Sequence, residues 1–388
     1  MATDNNNKVL NVPNLRFPEF TGEWQLHATT DYFEFKNGLN PEAKRFGLGT
    51  KFISVMDILN NRYITYDKVI ASVLPKDDDL KEFGVNYGDI LFQRSSETLE
   101  DVGRANVYLD DKTALFGGFV IRGKKIGNYN PLFFRYLLSS PNARKSIIVK
   151  GAGAQHFNIS QDGLSKVLLN VPSIQEQEKI SQFINYIDER IDTQSKIIEK
   201  LESLIKGLCS FLFDKNKYDS FVRLGDISEI TNGNSDVQDA SLSYSKGMYP
   251  FFDRSNDVKF LPEYILDKES IIYPGEGSEF YPRYYNGKFA LHQRCYAIYD
   301  ISRNFKPKYL YYFCKTQNSY FVRNAVGSTV ASLRLDTFKR LNIPHVPIEV
   351  QETYVQLLDK IETKIIDNKA ILKKYEEQKK YLLSNLFI

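Results

Sequence analysis

The chain has few of the residues from which small catalytic or metal sites are built. Its 388 residues include three cysteines, four histidines and one tryptophan. The cysteines, Cys209, Cys295 and Cys314, stand far apart with no CxxC pair, which argues against a disulfide framework and a zinc site and is typical of a reducing cytosol. The histidines show no spacing typical of metal ligands and no pairing with a nucleophile. The sequence therefore shows no catalytic motif of its own.

Long apolar runs and a strong charge excess are also missing. No apolar run approaches the roughly 18 residues of a membrane span, and residues 1–8 are polar where a secretory signal is basic and then apolar. Lys and Arg together number 51 against 48 Asp and Glu, which gives a net charge of +3. Such a balance permits contacts with DNA phosphates without demanding them. We expect a cytoplasmic protein with no membrane partner.

Three short motifs that resemble catalytic ones are better explained as turns or caps. Residues 130–133, Asn-Pro-Leu-Phe, lack the second proline of the Asn-Pro-Pro-Phe loop of amino-methyltransferases and fit a helix N-terminus. The glycine-rich segments 151–155 and 274–278 lack the Gly-Lys-Ser/Thr of a P-loop. The acidic run at 77–79 is typical of a solvated loop.

The most informative feature that is present is an internal repeat. An amphipathic segment ending Leu-Cys-Ser-Phe-Leu-Phe at 208–213 returns 174 residues later, ending Leu-Leu-Ser-Asn-Leu-Phe at 382–387. The same offset places the Gln-Glu pair at 177–178 on the Gln-Glu pair at 351–352. A repeat of nearly half the chain is too long for a solenoid and indicates a duplicated unit of domain plus helix.

Each repeat ends in a segment with the apolar spacing of a coiled-coil helix. Apolar residues recur at alternating intervals of four and three from 180 to 212, and again at the same phases in the copy. The pattern predicts helices over 174–213 and 348–388, each about 57 Å long. One position of each apolar seam is polar, Gln194 in the first and Asn368 in the second. If the helices pack antiparallel, these two residues meet and fix the register; alternatively, each helix lies on its own domain and the polar residues face solvent.

The remaining parts of the chain, 1–173 and 214–347, are predicted to be β-rich. Alternating and apolar runs bounded by turn residues predict strands at Lys51–Asp57, Asp89–Gln93, Phe116–Arg122, Tyr249–Asp253, Ser270–Tyr273 and Ala290–Tyr299. The two parts match each other poorly, whereas their helical frames match well. The predicted fold class is α+β, with two β-rich domains separated by two long helices that pack as an antiparallel coiled coil, in a pseudo-two-fold repeat.

This organisation resembles the specificity subunit of Type I restriction-modification systems. The resemblance is carried by the twice-repeated order of domain, proline-bearing junction ending in Gln-Glu, and long helix. It is supported by the opening segment Val-Pro-Asn-Leu-Arg-Phe-Pro-Glu-Phe at 12–20 and by Tyr-Gly-Asp-Ile-Leu-Phe at 87–92. The resemblance covers essentially the whole chain.

The resemblance implies a function. Residues 1–173 and 214–347 are expected to be target recognition domains, each contacting one half of an asymmetric, bipartite sequence in double-stranded DNA. The helices 174–213 and 348–388 would act as spacers and dock two methyltransferase (M) subunits that modify adenine, and restriction-translocase (R) subunits could join. The chain would be a non-catalytic recognition subunit without a cofactor or metal, with S-adenosylmethionine, ATP and Mg on its partners.

Candidate DNA contacts follow from the chemistry of polar side chains in or near predicted loops. Arg and Gln can read the edges of guanine and adenine, whereas Lys and Ser more often hold phosphates. The candidates in the first domain are Arg94, Ser95, Ser96, Arg104, Arg122, Lys124, Lys125 and Gln155. Those in the second domain are Ser278, Tyr281, Arg283, Tyr284, Lys288, Gln293, Arg294, Ser328, Thr329 and Arg334.

Two other functions stay open at this point. The chain could be a self-sufficient DNA methyltransferase or nuclease whose catalytic motifs are unusual. It could also be a coiled-coil scaffold for other proteins with no role on DNA. Methyl transfer by the chain alone would distinguish the first alternative, and salt-dependent binding to mixed-sequence duplex would distinguish the second.

Overall fold

The computed structural model describes residues 10–76, 78–153, 155–255 and 257–388, so part of the acidic run at 77–79 lies outside the described residues. The chain divides into two compact units, each described here by itself. Unit 1 contains the described residues up to Thr193 together with Ile371–Ile388, and unit 2 contains Gln194–Ala370. Each unit holds one globular part and a share of both long helices. The domain limits given above stay predictions.

The globular part of unit 1 is built mainly from short strands. Its strands, within the described residues, are β1 Gln25–Ala28, β2 Phe33–Asn37, β3 Phe46–Ile53, β4 Ser72–Val73, β5 Gly84–Val85, β6 Ile90–Gln93, β7 Ser95–Ser96, β8 Ala105–Val107, β9 Ala114–Phe116, β10 Val120–Lys125, β11 Phe157–Asn158 and β12 Leu168–Val171. Its helices are α1 Val55–Asn60, α2 Asp79–Phe83, α3 Pro131–Ser139, α4 Pro141–Ile148, α5 Gln161–Ser165 and the start of α6 Ile174–Leu212.

Two four-stranded sheets form the centre of unit 1. Their strand orders are β2-β10-β6-β8 and β4-β3-β9-β5, and the pairs β1–β12 and β7–β11 lie outside them. An aromatic cluster of Phe33, Phe92, Tyr129 and Phe134 packs between β2, β6 and α3 and is almost fully buried. Burial of such large side chains stabilises the unit by roughly 2 kcal/mol each.

Two predicted strands of unit 1 are wrong in part. The strand predicted at Lys51–Asp57 ends at Ile53, because the backbone N–H of Ser54 donates to the carboxylate of Asp57 at 2.7 Å and caps α1. The strand predicted at Phe116–Arg122 is split between β9 and β10 by Gly117 and Gly118. In both places a local turn or cap overrides the β propensity of the flanking apolar residues.

The globular part of unit 2 contains a larger sheet. Its strands, among the described residues, are β13 Phe221–Arg223, β14 Glu229–Asn232, β15 Tyr249–Phe252, β16 Lys259–Leu261, β17 Leu266–Pro274, β18 Arg283–Leu291, β19 Cys295–Tyr299 and β20 Asn342–Pro344. Its helices are α7 Leu224–Ile227, α8 Pro307–Lys315, α9 Asn318–Asn324, α10 Leu335–Lys339 and the first part of α11 Ile348–Asn385. The strands β14-β19-β17-β18-β15-β16 form one sheet in that order, and β13 pairs with β20.

The predicted strand Ala290–Tyr299 is also wrong in part. It is broken between β18 and β19, where the N–H of Cys295 donates to the carbonyl of His292 at 2.8 Å and closes a turn. This break places the polar residues Gln293 and Arg294 in a loop. The core of unit 2 packs Tyr273 and Tyr309 beneath the sheet, both with no exposed surface.

The two long helices begin where the sequence predicts and end within three residues of the predicted limits, at Leu212 and Asn385. In unit 1, Lys379 on α11 pairs with Asp188 on α6 at 2.6 Å. In unit 2, Gln194 on α6 contacts Asn368 on α11, and the rings of Phe213 and Tyr354 lie 6.2 Å apart. Within the described part of the chain, no helix combines the length and apolarity needed to cross a membrane.

Candidate nucleic-acid interface

A glycine-centred loop precedes each long helix at the repeat offset of 174 residues. Gly153 and Gly327 adopt φ values of +139° and +115°, in a region that L side chains rarely adopt. A Cβ at Gly153 would lie 2.0 Å from the carbonyl oxygen of His156, and a Cβ at Gly327 would lie 2.5 Å from that of Val330. Glycine is therefore required at both positions by conformation and by close backbone approach.

The backbone hydrogen bonds of the two loops are the same. Ala152 and Asn158 exchange N–H···O bonds of 2.9 and 2.8 Å, and Val326 and Ser332, their counterparts at the repeat offset, exchange bonds of 2.9 and 2.8 Å. Each loop is thereby held as a narrow antiparallel finger. This similarity was not visible from the sequence, where the globular parts match poorly.

Each finger is also attached to the end of a sheet strand in the same way. The N–H of Ile159 donates to the carbonyl of Arg94 at 2.9 Å, and the N–H of Leu333 donates to the carbonyl of Gly275 at 2.8 Å. Arg94 follows β6 and Gly275 follows β17. Arg94 and Gly275 are thus structural equivalents whose side chains have nothing in common.

In unit 1 this frame gathers four of the predicted contact residues. The guanidinium of Arg94 donates to the carbonyl of Gly118 at 3.3 Å and keeps part of its surface exposed. Ser95 Oγ donates to the amide oxygen of Asn158, and Ser96 pairs with β11. Gln155 is exposed on the finger itself. A cavity of about 470 Å³ opens beside them, lined by Arg94, Asn37, Lys150, Asn158 and Gln161 among others.

The other four candidates of unit 1 lie elsewhere. Arg104 is exposed and pairs with Asp101 at 2.6 Å. Lys124 is exposed near the end of β10. Lys125 Nζ donates to the carbonyl of Tyr129 at 3.2 Å and lies 4.8 Å from the centre of its ring, and burial lowers the pKa of Lys125. These three are not part of the finger frame.

The position expected for Arg122, in a surface turn, is wrong. Arg122 lies inside β10 with 6% of its surface exposed, and its guanidinium donates to the carbonyl of Gly84. Burial lowers the pKa of the guanidinium, with Asp89 opposing that shift. As placed here, the side chain supports the sheet and has no surface to offer DNA.

In unit 2 the corresponding frame is organised by Glu276, which follows Gly275. The carboxylate of Glu276 accepts from the guanidinium of Arg294 and from Ser332 Oγ, the latter at 3.3 Å. Gln293 Nε2 donates to Asp236 at 3.2 Å. Two predicted contact residues, Gln293 and Arg294, are thereby brought to one side of the finger. The finger tip carries two more, Ser328 and Thr329, both exposed.

A cavity of about 540 Å³ lies next to Glu276 and carries both acidic and basic side chains. Asp253 is buried and pairs with Lys259 at 2.6 Å, and hydrogen bonds from Lys259 and Ser255 lower its pKa although burial opposes this. The cavity is lined by Asp236, Val237, Asp253, Arg254, Ser255, Lys259, Glu276, His292, Gln293, Arg294 and Cys295. Donors and acceptors set side by side are suited to the edges of base pairs.

Sequence reasoning missed several members of this cavity. Asp253, Arg254 and Ser255 directly follow β15, and Lys259 begins β16. The signal that could have found them is the polar run Asp-Arg-Ser at the end of an apolar strand, because side chains at strand ends line the rim of a sheet.

The remaining candidates of unit 2 are divided between surface and interior. Ser278, Tyr281 and Arg334 are exposed. Arg283 donates to the carbonyl of Ser255, and Tyr284 packs on Tyr311 with ring centres 5.6 Å apart. Lys288 lies 4.8 Å from the ring centre of Tyr264.

The junction glutamines of the repeat have equivalent buried roles. Gln177 Oε1 accepts from the N–H of Asn130 at 3.0 Å, while Nε2 donates to the carbonyl of Pro172 at 3.0 Å. Gln351 Oε1 accepts from the N–H of Lys306 at 2.8 Å, while Nε2 donates to the carbonyl of Val346 at 2.9 Å. Each glutamine joins the first turn of a long helix to the strand before it and to the segment ahead of a short helix.

Each globular part is also bound to its helix by a tyrosine hydroxyl. Tyr136 OH donates to Asp188 at 2.8 Å, and Tyr312 OH contacts Asp359 at 2.6 Å and Glu362 at 2.8 Å. Asp188 and Glu362 are separated by the repeat offset. The described residues contain no group of three or more His, Cys, Asp or Glu that could hold a metal ion.

Comparison with known proteins accounts for this duplicated frame. The family model for the Type I restriction modification DNA specificity domain matches residues 21–203 and again residues 217–377. The chain belongs to this family. Each match takes in one globular part, its finger and the greater part of the long helix that follows.

Curated relatives carry the same description. The chain is 24% identical over 186 residues to the Type I restriction enzyme EcoKI specificity subunit of Escherichia coli K12, an alignment that covers 47% of this chain and 39% of the relative. It is 26% identical over 162 residues to the HindI specificity subunit of Haemophilus influenzae, covering 40% of this chain and 34% of the relative. These alignments therefore span well under half of either relative.

Solved structures show that the fold is shared along the whole chain. The S subunit of a Type I restriction-modification system from M. genitalium superposes with a TM-score of 0.65 at 15% identity, covering 97% of this chain and 99% of that one. A chain from a structural study of assembly and conformational transition in the Type I R-M system gives 0.55 at 13% identity, covering 93% and 96%.

Proposed function

We propose that this chain is the non-catalytic DNA sequence-recognition subunit of a Type I restriction-modification complex. The globular part of each unit reads one half of a bipartite, asymmetric site in double-stranded DNA. The helices α6 and α11 set the distance between the half-sites and dock two adenine methyltransferase (M) subunits, and restriction-translocase (R) subunits complete the assembly. The complex works in the cytoplasm.

The observation that carries this proposal is the repeated finger with unlike side chains. The bonds Ile159 to Arg94 and Leu333 to Gly275 build one backbone frame twice. The residues that follow, Ser95 in one frame and Glu276 in the other, differ in size and charge. Because sequence is read by side chains at base edges, a shared frame with different side chains is suited to reading two different half-sites.

Contacts of the long helices support a spacer that runs antiparallel. In unit 2 the numbers of α6 rise from Gln194 to Phe213 while their partners on α11 fall from Asn368 to Tyr354. In unit 1, Asp188 and Lys379 follow the same order. The polar pair Gln194–Asn368 interrupts an otherwise apolar seam and fixes its register, because any slip would leave a buried amide unpaired.

Chemistry is assigned to the partners rather than to this chain. The M subunits would supply S-adenosylmethionine, and the R subunits would supply ATP and Mg. A direct test incubates the purified chain with DNA and labelled S-adenosylmethionine, alone and with its M subunits. We expect methyl transfer only in the presence of the M subunits, and transfer by the chain alone would contradict a purely recognising role.

The spacer role has a separate test. Seven residues inserted after Gln194 in α6 and seven before Asn368 in α11 keep the seam in phase and lengthen each helix by about 10.5 Å. Since base pairs are stacked about 3.4 Å apart, the gap between half-sites is expected to grow by about three base pairs while both half-sites stay the same. An unchanged gap would exclude the helices as the spacer. Insertion of the same residues in α6 alone serves as the control that should abolish recognition.

A further inference from the structure

Unit 1 contains an arginine-lined cavity that lies outside the finger frame. Its volume is about 410 Å³, and it lies between the end of α1, β8, α3 and α4. Its basic residues are Arg104, Arg135 and Arg144, and its acidic residue is Glu100. Of these, only Arg104 belongs to the set of predicted DNA contacts.

Arg144 has unused hydrogen-bonding capacity in this cavity. Its Nη2 donates to the backbone carbonyls of Glu100 at 2.8 Å and Val102 at 2.7 Å, both of which are neutral acceptors. Its Nη1 is buried and has no hydrogen-bond partner among the described residues. Burial, together with the positive charge of Arg104, lowers the pKa of Arg144 to about 10. A buried cation without a counter-charge is costly, so an anion in the cavity would stabilise it.

Arg135 is in a similar position. Its ion pair with Asp188 is long, at 3.9 Å, because that carboxylate already binds Lys379 at 2.6 Å and Tyr136 OH at 2.8 Å. The Nε of Arg135 is buried and has no partner within the described part of the chain. Burial lowers the pKa of this guanidinium too.

The neutral polar side chains of the cavity are already engaged. Asn106 Nδ2 donates to the carbonyls of Ile58 and Asn61, at 3.0 and 2.7 Å. Asn61 Nδ2 donates to the carbonyl of Asp57 at 3.0 Å, and Ser139 Oγ donates to that of Arg135 at 2.8 Å. The free donors of the cavity therefore belong to arginine.

We propose that this cavity is a phosphate-binding site in which Arg104, Arg135 and Arg144 converge on one phosphoryl group. A phosphoryl group presents at least three acceptor oxygens to guanidinium groups on three different elements, whereas a carboxylate presents two. Arg104 lies at the exposed rim, where its pair with Asp101 can exchange for the anion. The phosphate can come from a free nucleotide or from the DNA backbone, and the second source rests on the proposed function.

The test titrates inorganic phosphate into the full-length chain and follows thermal unfolding. Ionic strength is held constant with sodium chloride, and sodium glutamate at matched ionic strength serves as the carboxylate control. We expect a saturating rise of the unfolding midpoint with phosphate that neither chloride nor glutamate reproduces. An equal response to all three anions would overturn the site, and glutamate matching phosphate would overturn the choice of ligand.

Variants separate the cavity from general charge effects. Arg144→Lys keeps the charge but loses the planar fork, and Arg104→Gln changes only an exposed rim residue, which preserves folding if the first variant fails. Each is expected to weaken phosphate binding about tenfold, in line with the loss of one charge-assisted hydrogen bond. Arg340→Gln, an exposed arginine of α10 in unit 2, should bind as the parent does. Unaltered binding in both cavity variants would overturn the proposal.

The source of the phosphate is read from DNA binding by the chain with its M subunits. If the DNA backbone occupies the cavity, each cavity variant lowers affinity for all sequences alike and reduces the slope of log K against log salt by about one. If a free nucleotide occupies it, DNA binding is unchanged while phosphate stabilisation is lost. Either result supports the site, and a complete lack of DNA binding by the parent would count against the proposed function only.

Discussion

The side chains of Gln194 and Asn368 meet in unit 2, where Gln194 Nε2 donates to the backbone carbonyl of Asn368 at 3.2 Å and also to its amide oxygen. Gln194 is 9% exposed, although it belongs to a seam of aliphatic residues. A buried amide at such a position lowers stability but restricts the register in which two helices can pair. The pair therefore connects the stability of the helices with the spacing that they are proposed to set.

Replacing both amides with leucine tests this connection. The double variant Gln194→Leu, Asn368→Leu is expected to unfold at a higher temperature, because apolar side chains replace a desolvated polar pair, while the register becomes looser. The readouts are the thermal midpoint and the range of gap lengths accepted between half-sites. The double variant Gln182→Leu, Gln356→Leu, at exposed positions of the same helices, is the control. Unchanged stability together with an unchanged gap would count against a polar layer.

Loss of the junction glutamine is expected to destabilise unit 1. In Gln177→Leu the N–H of Asn130 and the carbonyl of Pro172 lose their buried partner, at a cost of about 1–3 kcal/mol for each unsatisfied group. Urea unfolding should show a lower free energy of unfolding for this variant than for Gln175→Leu, whose side chain is exposed. Equal midpoints for the two variants would show that the junction bonds contribute little.

The hydroxyl of Tyr136 is expected to make stability depend on alkaline pH. Burial, together with the neighbouring Asp188, raises the pKa of Tyr136 well above its usual value of 10. The folded state therefore keeps this proton where the unfolded state releases it, so the contribution is fully present below pH 10 and is lost as pH rises further.

The Tyr136→Phe variant isolates that contribution. Its free energy of unfolding should fall less steeply above pH 10 than that of the parent, by about 1.4 kcal/mol per pH unit. Urea unfolding between pH 8 and 11 measures the slope, and Tyr381→Phe, at a position with 61% of its surface exposed, is the matched control. Identical slopes for both variants would show that the Tyr136 proton is not linked to folding.

Substitutions in the two finger frames should affect different halves of the DNA site. Arg94→Gln removes a guanidinium beside the finger of unit 1 but leaves the backbone bonds of Arg94 in place. Arg294→Gln does the same in unit 2. Each is expected to relax recognition at one half-site by about 1–3 kcal/mol for a base that the arginine contacts. Binding to duplexes altered in one half at a time measures this, and a loss spread equally over both halves would contradict separate reading.

The sequence predicted the long-range organisation better than the local detail. The ends of α6 and α11 followed from apolar spacing over many turns, because one helical pattern repeated several times outweighs any single exception. By contrast, the strand predicted through Asp57 ended at Ile53, because a single carboxylate capped the next helix. Short elements depend on one or two bonds that apolar periodicity does not encode.

The contact residues show the same limit. Arg122 is basic and lies between two lysine-rich segments of the sequence, yet the alternation of β10 turns its side chain inward. The equivalence of Arg94 with Gly275 was hidden, because it is carried by backbone bonds and by the conformation of Gly153 and Gly327 rather than by side-chain identity. Side chains that differ between two frames cannot reveal that the frames are the same.

The most direct test of two separate reading units on one spacer is a map of methylated adenines in the genomes of cells with and without this gene. The account predicts a single asymmetric motif that depends on the gene, with two specified halves separated by a constant unspecified gap. It also predicts that Arg94→Gln alters one half alone. A continuous motif, a variable gap, or a methylation pattern that is the same without the gene would contradict it.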